Sequence, residues 1–198
     1  VWDEEDAQPD WLKQGTHSRQ QLREIMRDHI MAVAGRYKGR IDAWSVVNEP
    51  FSRAQGIFGL QAWWADKLGG GTDYIDDAFI WAREADPQAT LILNDFYNET
   101  ATSVARAQYD YIKSAKSRGV PIDAVGIQMH VDAAYPPKKA DMIWNMRRFA
   151  ELGTPVYITE FDINSSKVDG DAAYKAQLEA RIAADVVRAC IESQNCVS

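Results

Sequence analysis

The chain has 198 residues, 46% of them hydrophobic, and a formal net charge of −7 at pH 7. This size and apolar content suffice for one buried core, so residues 1–198 are treated as a single domain. The charge lacks the basic character of a nucleic-acid-binding surface, and no apolar run approaches the ~18 residues that predict a membrane span. The seven Trp, eight Tyr and six Phe residues suit either core packing or stacking on flat ligands such as sugar rings.

The first forty residues predict a short strand end, a loop and a helix. Residues 1–2 read as the tail of a strand, and residues 3–14 form an acidic, proline-containing loop. Ser18 followed by Gln21 matches the capping box that opens a helix. Apolar residues at helical spacing continue this helix to about residue 37.

Residues 41–47 are rich in β-branched and aromatic side chains, and they predict a strand. This strand delivers Asn48 and Glu49 at its C-terminal end, where Pro50 stops it. Because proline disfavours helical geometry in the residue before it, we expect Glu49 to be extended. A surface glutamate that merely opens a turn is the simple alternative at this point.

Strands and helices alternate through the rest of the chain. Residues 51–71 read as a loop with some helix in it, which carries Trp63 and Trp64. Further strands are predicted at 90–95, 124–130 and 155–160, and further helices at 72–86, 101–118, 140–152 and 171–192. This alternation predicts an α/β fold with a parallel sheet covered by helices. No Gly-x-Gly-x-x-Gly follows a strand, which disfavours a dinucleotide-binding fold.

Every predicted strand ends in polar residues. The pairs are Asn48 and Glu49, Asn94 and Asp95, Gln128 and His130, and Glu160 and Asp162. In a barrel of parallel strands these ends meet around one cavity. Two carboxylates facing each other there, Glu49 and Glu160, suit glycoside hydrolysis, in which one carboxyl group holds a proton and the other is ionised.

His130 is placed to hydrogen-bond one of these carboxylates and, through its other ring nitrogen, Asp162. Ser-His-Asp catalysis ranks below this because no Gly-x-Ser-x-Gly follows a strand. A metal site of two carboxylates and one histidine stays open as an alternative. Cys190 and Cys196 are either a disulfide or a free pair, since no other cysteine or histidine cluster completes a four-ligand zinc site.

Four motifs, in this order, carry a family resemblance: Trp44-Ser-Val-Val-Asn-Glu, Leu93-Asn-Asp, Gly126-Ile-Gln-Met-His and Ile158-Thr-Glu-Phe-Asp-Ile. They resemble the successive strand-end motifs of family 10 glycoside hydrolases, the β-1,4-xylanases. Asn-Glu-Pro alone would equally fit family 5 cellulases and mannanases, and the Gln-x-His and Glu-x-Asp ends favour family 10. The resemblance implies a (β/α)8 TIM barrel, present here as about four to five strand–helix units. The first two strands and the last are expected to be missing, so the single catalytic domain would be incomplete at both ends.

The resemblance also implies a role for each site residue. Glu49 is the general acid/base, Glu160 is the nucleophile and Asn48 binds the sugar 2-hydroxyl, while Gln128 and His130 position the nucleophile with Asp162 behind His130. The implied enzyme is a retaining endo-β-1,4-xylanase, secreted and monomeric at full length, which binds xylan or xylo-oligosaccharides and uses no cofactor or metal. Many members have the cysteine pair that Cys190 and Cys196 match, which favours the disulfide.

Two departures from the family pattern concern the substrate contacts. The family's third strand usually ends Trp-His, whereas Trp2 is followed here by Asp3. Either Asp3 replaces this substrate-touching histidine or the match slips across the loop. The strand that ends at Asp95 normally leads into Tyr-Asn in the family, whereas an extra aromatic residue precedes Tyr97 and Asn98 here, and this departure is expected to alter the leaving-group side. Trp2, Asp3, Tyr97 and Asn98 are all expected to bind or position the substrate. Another retaining β-1,4-glycanase and a non-catalytic carbohydrate-binding relic remain the alternative functions.

Overall fold

The structure is a computed structural model that describes residues 1–54 and 62–197. Residues 55–61, within the predicted loop at 51–71, lie outside the described residues. The described helices are α1 (Asp10–Gln14), α2 (Arg19–Arg36), α3 (Pro50–Ala54), α4 (Trp63–Leu68), α5 (Asp73–Ala85), α6 (Ser103–Ser117), α7 (Lys139–Ala150) and α8 (Ala172–Ser193). The described strands are β1 (Ala43–Asn48), β2 (Thr90–Asp95), β3 (Ala124–Ile127), β4 (His130–Asp132), β5 (Val156–Ile158) and β6 (Asp162–Asn164).

The main sheet has four parallel strands, as the strand–helix alternation predicted, and their order in the sheet is β1-β2-β3-β5. One further bridge lies at each edge of this sheet, between Trp2 and Asn48 and between Val156 and Cys196. Within the described residues the sheet does not close into a barrel. Because all four strands run the same way, their C-terminal ends lie along one edge of the sheet.

The hydrophobic core lies between this sheet and the helices that connect its strands. Buried side chains of α5, such as Ile75 and Phe79, belong to the same cluster as Leu91 and Leu93 of β2. Helix α2 begins with the predicted capping box, in which Ser18 and Gln21 each bond the other's backbone N–H. None of the described helices is both long enough and apolar enough to cross a membrane.

Two predicted strands are shorter than expected. The strand at 124–130 ends at Ile127, the backbone turns at Met129 with a φ of +64°, and β4 begins at His130. The strand at 155–160 likewise divides into β5 and β6, and β4 pairs with β6 in a separate two-stranded parallel sheet. This second pairing places His130 opposite Asp162. The predicted loop at 3–14 also contains one short helix, α1.

A disulfide joins Cys190, near the end of α8, to Cys196. The disulfide reading of these two cysteines is therefore confirmed. The bond closes the turn that brings the chain back to the edge of the sheet. There Val156 N donates to Asn195 O, and Val197 N donates to Val156 O.

Candidate active site

Glu49 lies directly after β1 and is buried, with 6% of its surface exposed. Its Oε2 accepts a hydrogen bond from Trp2 Nε1 at 2.9 Å, and its Oε1 accepts one from Gln128 Nε2 at 3.1 Å. Trp2 comes from the neighbouring strand tail and Gln128 follows β3, so the carboxylate is held from two sides. Glu49 is thus part of a polar network and does not merely open a surface turn.

The backbone at Glu49 differs from the predicted extended conformation, because its φ is +60°. That prediction is wrong for a local reason. Helix α3 begins at the very next residue, Pro50, and a left-handed residue lets the strand turn into the helix without a connecting loop. In this conformation Glu49 N donates to Asn94 O of β2 at 2.9 Å.

Glu160 follows β5 and is the more open of the two carboxylates, with 42% of its side chain exposed. Its Oε1 accepts from Asn94 Nδ2 at 2.8 Å, and its Oε2 lies 3.4 Å from His130 Nε2. The same His130 nitrogen lies 3.0 Å from Gln128 Oε1, while His130 Nδ1 is in contact with Asp162 Oδ2. His130 therefore has the contacts expected of it, one carboxylate on each ring nitrogen.

Asn94 is a member of the site to which the sequence reasoning gave no role. Its Nδ2 donates to Asn48 Oδ1 at 2.7 Å as well as to Glu160, and its Oδ1 accepts from Thr159 Oγ1 at 2.7 Å. A Cβ at Gly126, on the adjacent strand, would lie 2.1 Å from Asn94 Oδ1, so the glycine makes room for this amide. The sequence signal that could have indicated this role is the position of Asn94 at the polar end of a predicted strand.

The remaining strand-end amides complete the connection between the two carboxylates. Gln128 Nε2 contacts Asn48 Oδ1 at 3.2 Å in addition to Glu49. Asn48 in turn accepts from Asn94, which reaches Glu160. Glu49 and Glu160 are therefore members of one continuous hydrogen-bonded network, contributed by the ends of four parallel strands.

Two predicted substrate contacts, Asp3 and Asn98, have no exposed surface. Asp3 Oδ1 accepts from Trp64 N at 2.5 Å and its Oδ2 accepts from Tyr74 OH at 2.6 Å, while burial raises the pKa of this carboxyl group. Asn98 Nδ2 donates to Gln108 Oε1 and to Gly126 O. Neither side chain therefore presents surface for direct sugar contact in this structure, and a positioning role for the two residues stays a prediction.

Trp2 precedes Asp3 and Tyr97 precedes Asn98 in the chain. Both aromatic residues are exposed to solvent, with relative accessible surfaces of 45% and 46%. Their substrate contacts stay predictions. In the described part of the chain, no group of three or more His, Cys, Asp and Glu side chains is arranged to hold a metal ion.

A pair of networked carboxylates at the C-terminal ends of parallel α/β strands is typical of barrel-type glycoside hydrolases. The chain belongs to glycosyl hydrolase family 10, whose model matches residues 1–198. This finding confirms the family that the four strand-end motifs indicated.

The chain is similar to characterised members of this family. It is 36% identical over 188 residues to endo-1,4-beta-xylanase B of Thermotoga neapolitana, covering 93% of this chain and 52% of that protein. It is 41% identical over 156 residues to a beta-1,4-xylanase of Dictyoglomus thermophilum, covering 79% of this chain and 43% of the relative. The chain thus spans about half the length of the curated relatives it matches.

The solved structure of xylanase 10B from Thermotoga petrophila, in complex with xylobiose, superposes with a TM-score of 0.88 at 33% identity. The match covers 99% of this chain and 58% of that protein. Family 10 xylanases are (β/α)8 TIM barrels, so the four parallel strands described above form part of such a barrel. The predicted fold class is confirmed.

Proposed function

We propose that this chain carries the catalytic centre of a retaining endo-β-1,4-xylanase, with Glu49 as general acid/base and Glu160 as nucleophile. The observation that supports this proposal most directly is the single hydrogen-bonded network that contains both carboxylates. Two carboxylates that act on one glycosidic bond must be held at a defined separation. In retaining enzymes this separation is about 5–5.5 Å.

The proposed reaction has two steps. Glu160 attacks the anomeric carbon while Glu49 protonates the departing glycosidic oxygen, which breaks the bond and leaves a covalent glycosyl-enzyme. Glu49, now a carboxylate, then takes a proton from water. The water attacks the same carbon, releases the sugar with its original configuration and frees Glu160.

The surrounding side chains are suited to these roles. Asn94 and His130 hold the oxygens of Glu160, and Asp162 lies on the far side of His130 and orients its ring. Gln128 links the two halves of the site, since its amide nitrogen contacts Glu49 and its amide oxygen contacts His130. We propose that Asn48 binds the 2-hydroxyl of the sugar at the point of cleavage.

The proposed substrate is xylan or a xylo-oligosaccharide, because the relatives are named xylanases and one was solved with xylobiose. Exposed Trp2 and Tyr97 at the strand ends suit stacking on sugar rings. We further propose that the protein is secreted and acts as a monomer. The Cys190–Cys196 disulfide supports an oxidising location outside the cell.

The test is hydrolysis of xylan and of carboxymethylcellulose by the full-length protein, its Glu160→Ala variant and a control, Glu192→Ala. Glu192 is a partly exposed glutamate on α8 that pairs with Lys139. Removal of the nucleophile is expected to lower xylan turnover by about 10⁴-fold or more while xylan binding persists, and the control is expected to match the wild type.

Cleavage of carboxymethylcellulose instead of xylan would contradict the proposed substrate and favour another β-1,4-glycanase of this architecture. Absence of turnover on both polymers, with binding retained, would contradict the catalytic proposal and favour the carbohydrate-binding relic.

A further inference from the structure

We propose that Asp95 is a positioning residue for Glu49, and that it keeps the Glu49 carboxyl group in position to protonate the glycosidic oxygen. This inference rests on the proposed function. Asp95 is the last residue of β2 and has no exposed surface, so it touches no substrate itself. Its influence on the reaction must pass through the backbone that carries Glu49.

Asp95 caps the helix that follows Glu49, although it belongs to the neighbouring strand. Its Oδ2 accepts from Phe51 N at 2.9 Å and from Ser52 N at 3.2 Å, and its Oδ1 accepts from Phe96 N at 2.9 Å. Phe51 and Ser52 lie in the first turn of α3, whose backbone N–H groups have no partner within the helix. Pro50, the first helical residue, has no N–H, so Asp95 binds the first two N–H groups that α3 presents.

These contacts fix Glu49 because the helix begins immediately after it. Glu49 N donates to Asn94 O at 2.9 Å, and Ser52 Oγ donates to Glu49 O at 3.4 Å. The Glu49 φ of +60° is a left-handed conformation that non-glycine residues rarely adopt without support from their surroundings. Asp95 supplies this support by holding the turn of chain that follows Glu49 against the end of β2.

The backbone groups that bond Asp95 are all donors, and two carboxyl oxygens can accept from them. These donors are the N–H groups of Phe51, Ser52 and Phe96, which point at its two oxygens. Burial raises the pKa of Asp95 to about 6, so the interior disfavours the charged form despite these donors. An asparagine would turn one NH2 group toward a backbone N–H and leave that donor unpaired.

Loss of the Asp95 contacts is predicted to impair one part of the reaction selectively. Displacement of Glu49 impairs proton transfer to the leaving group, whereas Glu160 keeps its own contacts with Asn94 and His130. Proton donation matters when the leaving group is a sugar hydroxyl, which is a weak acid. It matters little when the leaving group is an acidic phenol that departs without a proton.

The experiment compares kcat/KM of the full-length protein on two substrates, a xylo-oligosaccharide and a dinitrophenyl β-xylobioside. kcat/KM reports the steps up to bond cleavage for both. For Asp95→Asn we expect a 10- to 100-fold loss on the xylo-oligosaccharide and less than about threefold loss on the aryl glycoside.

Asp123→Asn is the matched control, because Asp123 accepts from Leu91 N at 2.8 Å near the opposite end of β2. Asp123 itself lies just before β3. The substitution makes the same chemical change at a carboxyl group that also bonds β2, and it is expected to lower both values equally, if at all. Should Asp95→Asn fail to fold, Ser52→Ala removes the bond from Ser52 Oγ to Glu49 O, which ties Glu49 to the turn that Asp95 caps, and keeps both backbone donors to Asp95. It is expected to lower kcat/KM selectively by about two- to fivefold.

Equal losses on the two substrates, or no loss on either, would overturn the positioning role of Asp95. The proposed function fails in a different way, since it fails when the wild-type protein hydrolyses neither substrate. The two failures are therefore distinguishable in the same set of assays.

Discussion

The two proposed catalytic carboxylates are held by different means on the two sides of the site. Glu49 is buried, and backbone bonds that end at Asp95 and Asn94 fix the chain around it. Glu160 N likewise donates to Gln128 O, but the Glu160 side chain is partly open to solvent, and it contacts Asn94 and His130. We infer that burial and the following helix restrict the Glu49 side chain, whereas the orientation of the Glu160 side chain depends more on its polar neighbours. Variants on the two sides should therefore fail differently.

Among variants of the residues that hold the two carboxylates, the largest effect is expected at Asn94, whose backbone oxygen accepts from Glu49 N and whose side chain donates to Glu160. Asn94→Ala removes the bonds to Asn48 and Glu160 together. We expect kcat/KM on xylo-oligosaccharides to fall by 10²- to 10³-fold, or about 3–4 kcal/mol, because small displacements of reacting groups are costly.

Gly126→Ala is expected to displace the Asn94 side chain from Glu160 as well, because the alanine Cβ would collide with it. Steady-state kinetics on both variants provide the measurement. An Asn94→Ala enzyme within threefold of the wild type would show that Glu160 does not depend on this amide.

The next prediction concerns the pH dependence of stability that arises from Asp95, on the buried side of the site. Because burial raises the pKa of Asp95 from 3.8 to about 6, the folded state binds a proton more tightly than the unfolded state between these values. The contribution of Asp95 to stability is thus fully present below pH 3.8 and is lost as the pH rises through 6. The loss amounts to about 3 kcal/mol.

Denaturant unfolding of the wild type and of Asp95→Asn at pH 4 and pH 7 isolates this contribution, since the other titrating groups are common to both proteins. The stability of the wild type relative to the variant should fall by about 2–3 kcal/mol between pH 4 and pH 7. A difference that is independent of pH would mean that Asp95 titrates normally in the folded protein.

The smallest effect is expected at Asp3, which supports the strand tail on the buried side. Asp3→Ala leaves the buried Trp64 N–H and the Tyr74 hydroxyl without their acceptor. The free energy of unfolding should fall by about 1–2 kcal/mol, with less than tenfold change in kcat/KM.

A double-mutant cycle with Tyr74→Phe checks the assignment to this contact. Non-additive stability changes are expected, because both substitutions remove the same hydrogen bond. Strict additivity would place the contribution of Asp3 elsewhere.

Much of this architecture is predictable from the sequence, because it depends on periodic patterns. Local signals predicted the parallel sheet, the Ser18–Gln21 capping box and the convergence of polar strand ends. The paired motifs that end in His130 and Asp162 likewise predicted the contact between those two side chains. These features need only the identity of each residue and its place along a strand or helix.

The orientation of side chains at the strand ends was harder to predict. Successive residues of a strand face opposite sides of the sheet. Asn94 therefore joins the catalytic network, while the next residue, Asp95, caps α3. In the same way, Trp2 contacts Glu49, while the next residue, Asp3, contacts the buried Trp64 N–H. Strict use of this alternation would have assigned Asn94 to the site and placed Asp3 in the interior.

No pattern in the sequence predicted the left-handed turns at the strand ends. Glu49 and Met129 both have positive φ values although neither is a glycine. Contacts with neighbouring strands and helices stabilise these conformations, and such contacts exist only in the folded protein. The division of the third predicted strand into β3 and β4 follows from the turn at Met129, which places His130 opposite Asp162.

We propose that Glu160 and Glu49 act on the same glycosidic bond, one as nucleophile and the other as acid/base. The most direct test is to treat the full-length protein with an activated 2-deoxy-2-fluoro xylobioside, which slows hydrolysis of a glycosyl-enzyme, and to map the label by mass spectrometry. The account predicts one fluoro-xylobiosyl group on the peptide that contains Glu160, and a longer-lived adduct in Glu49→Ala. A label on any other residue, or an active enzyme that forms no adduct and releases product of inverted configuration, would contradict it.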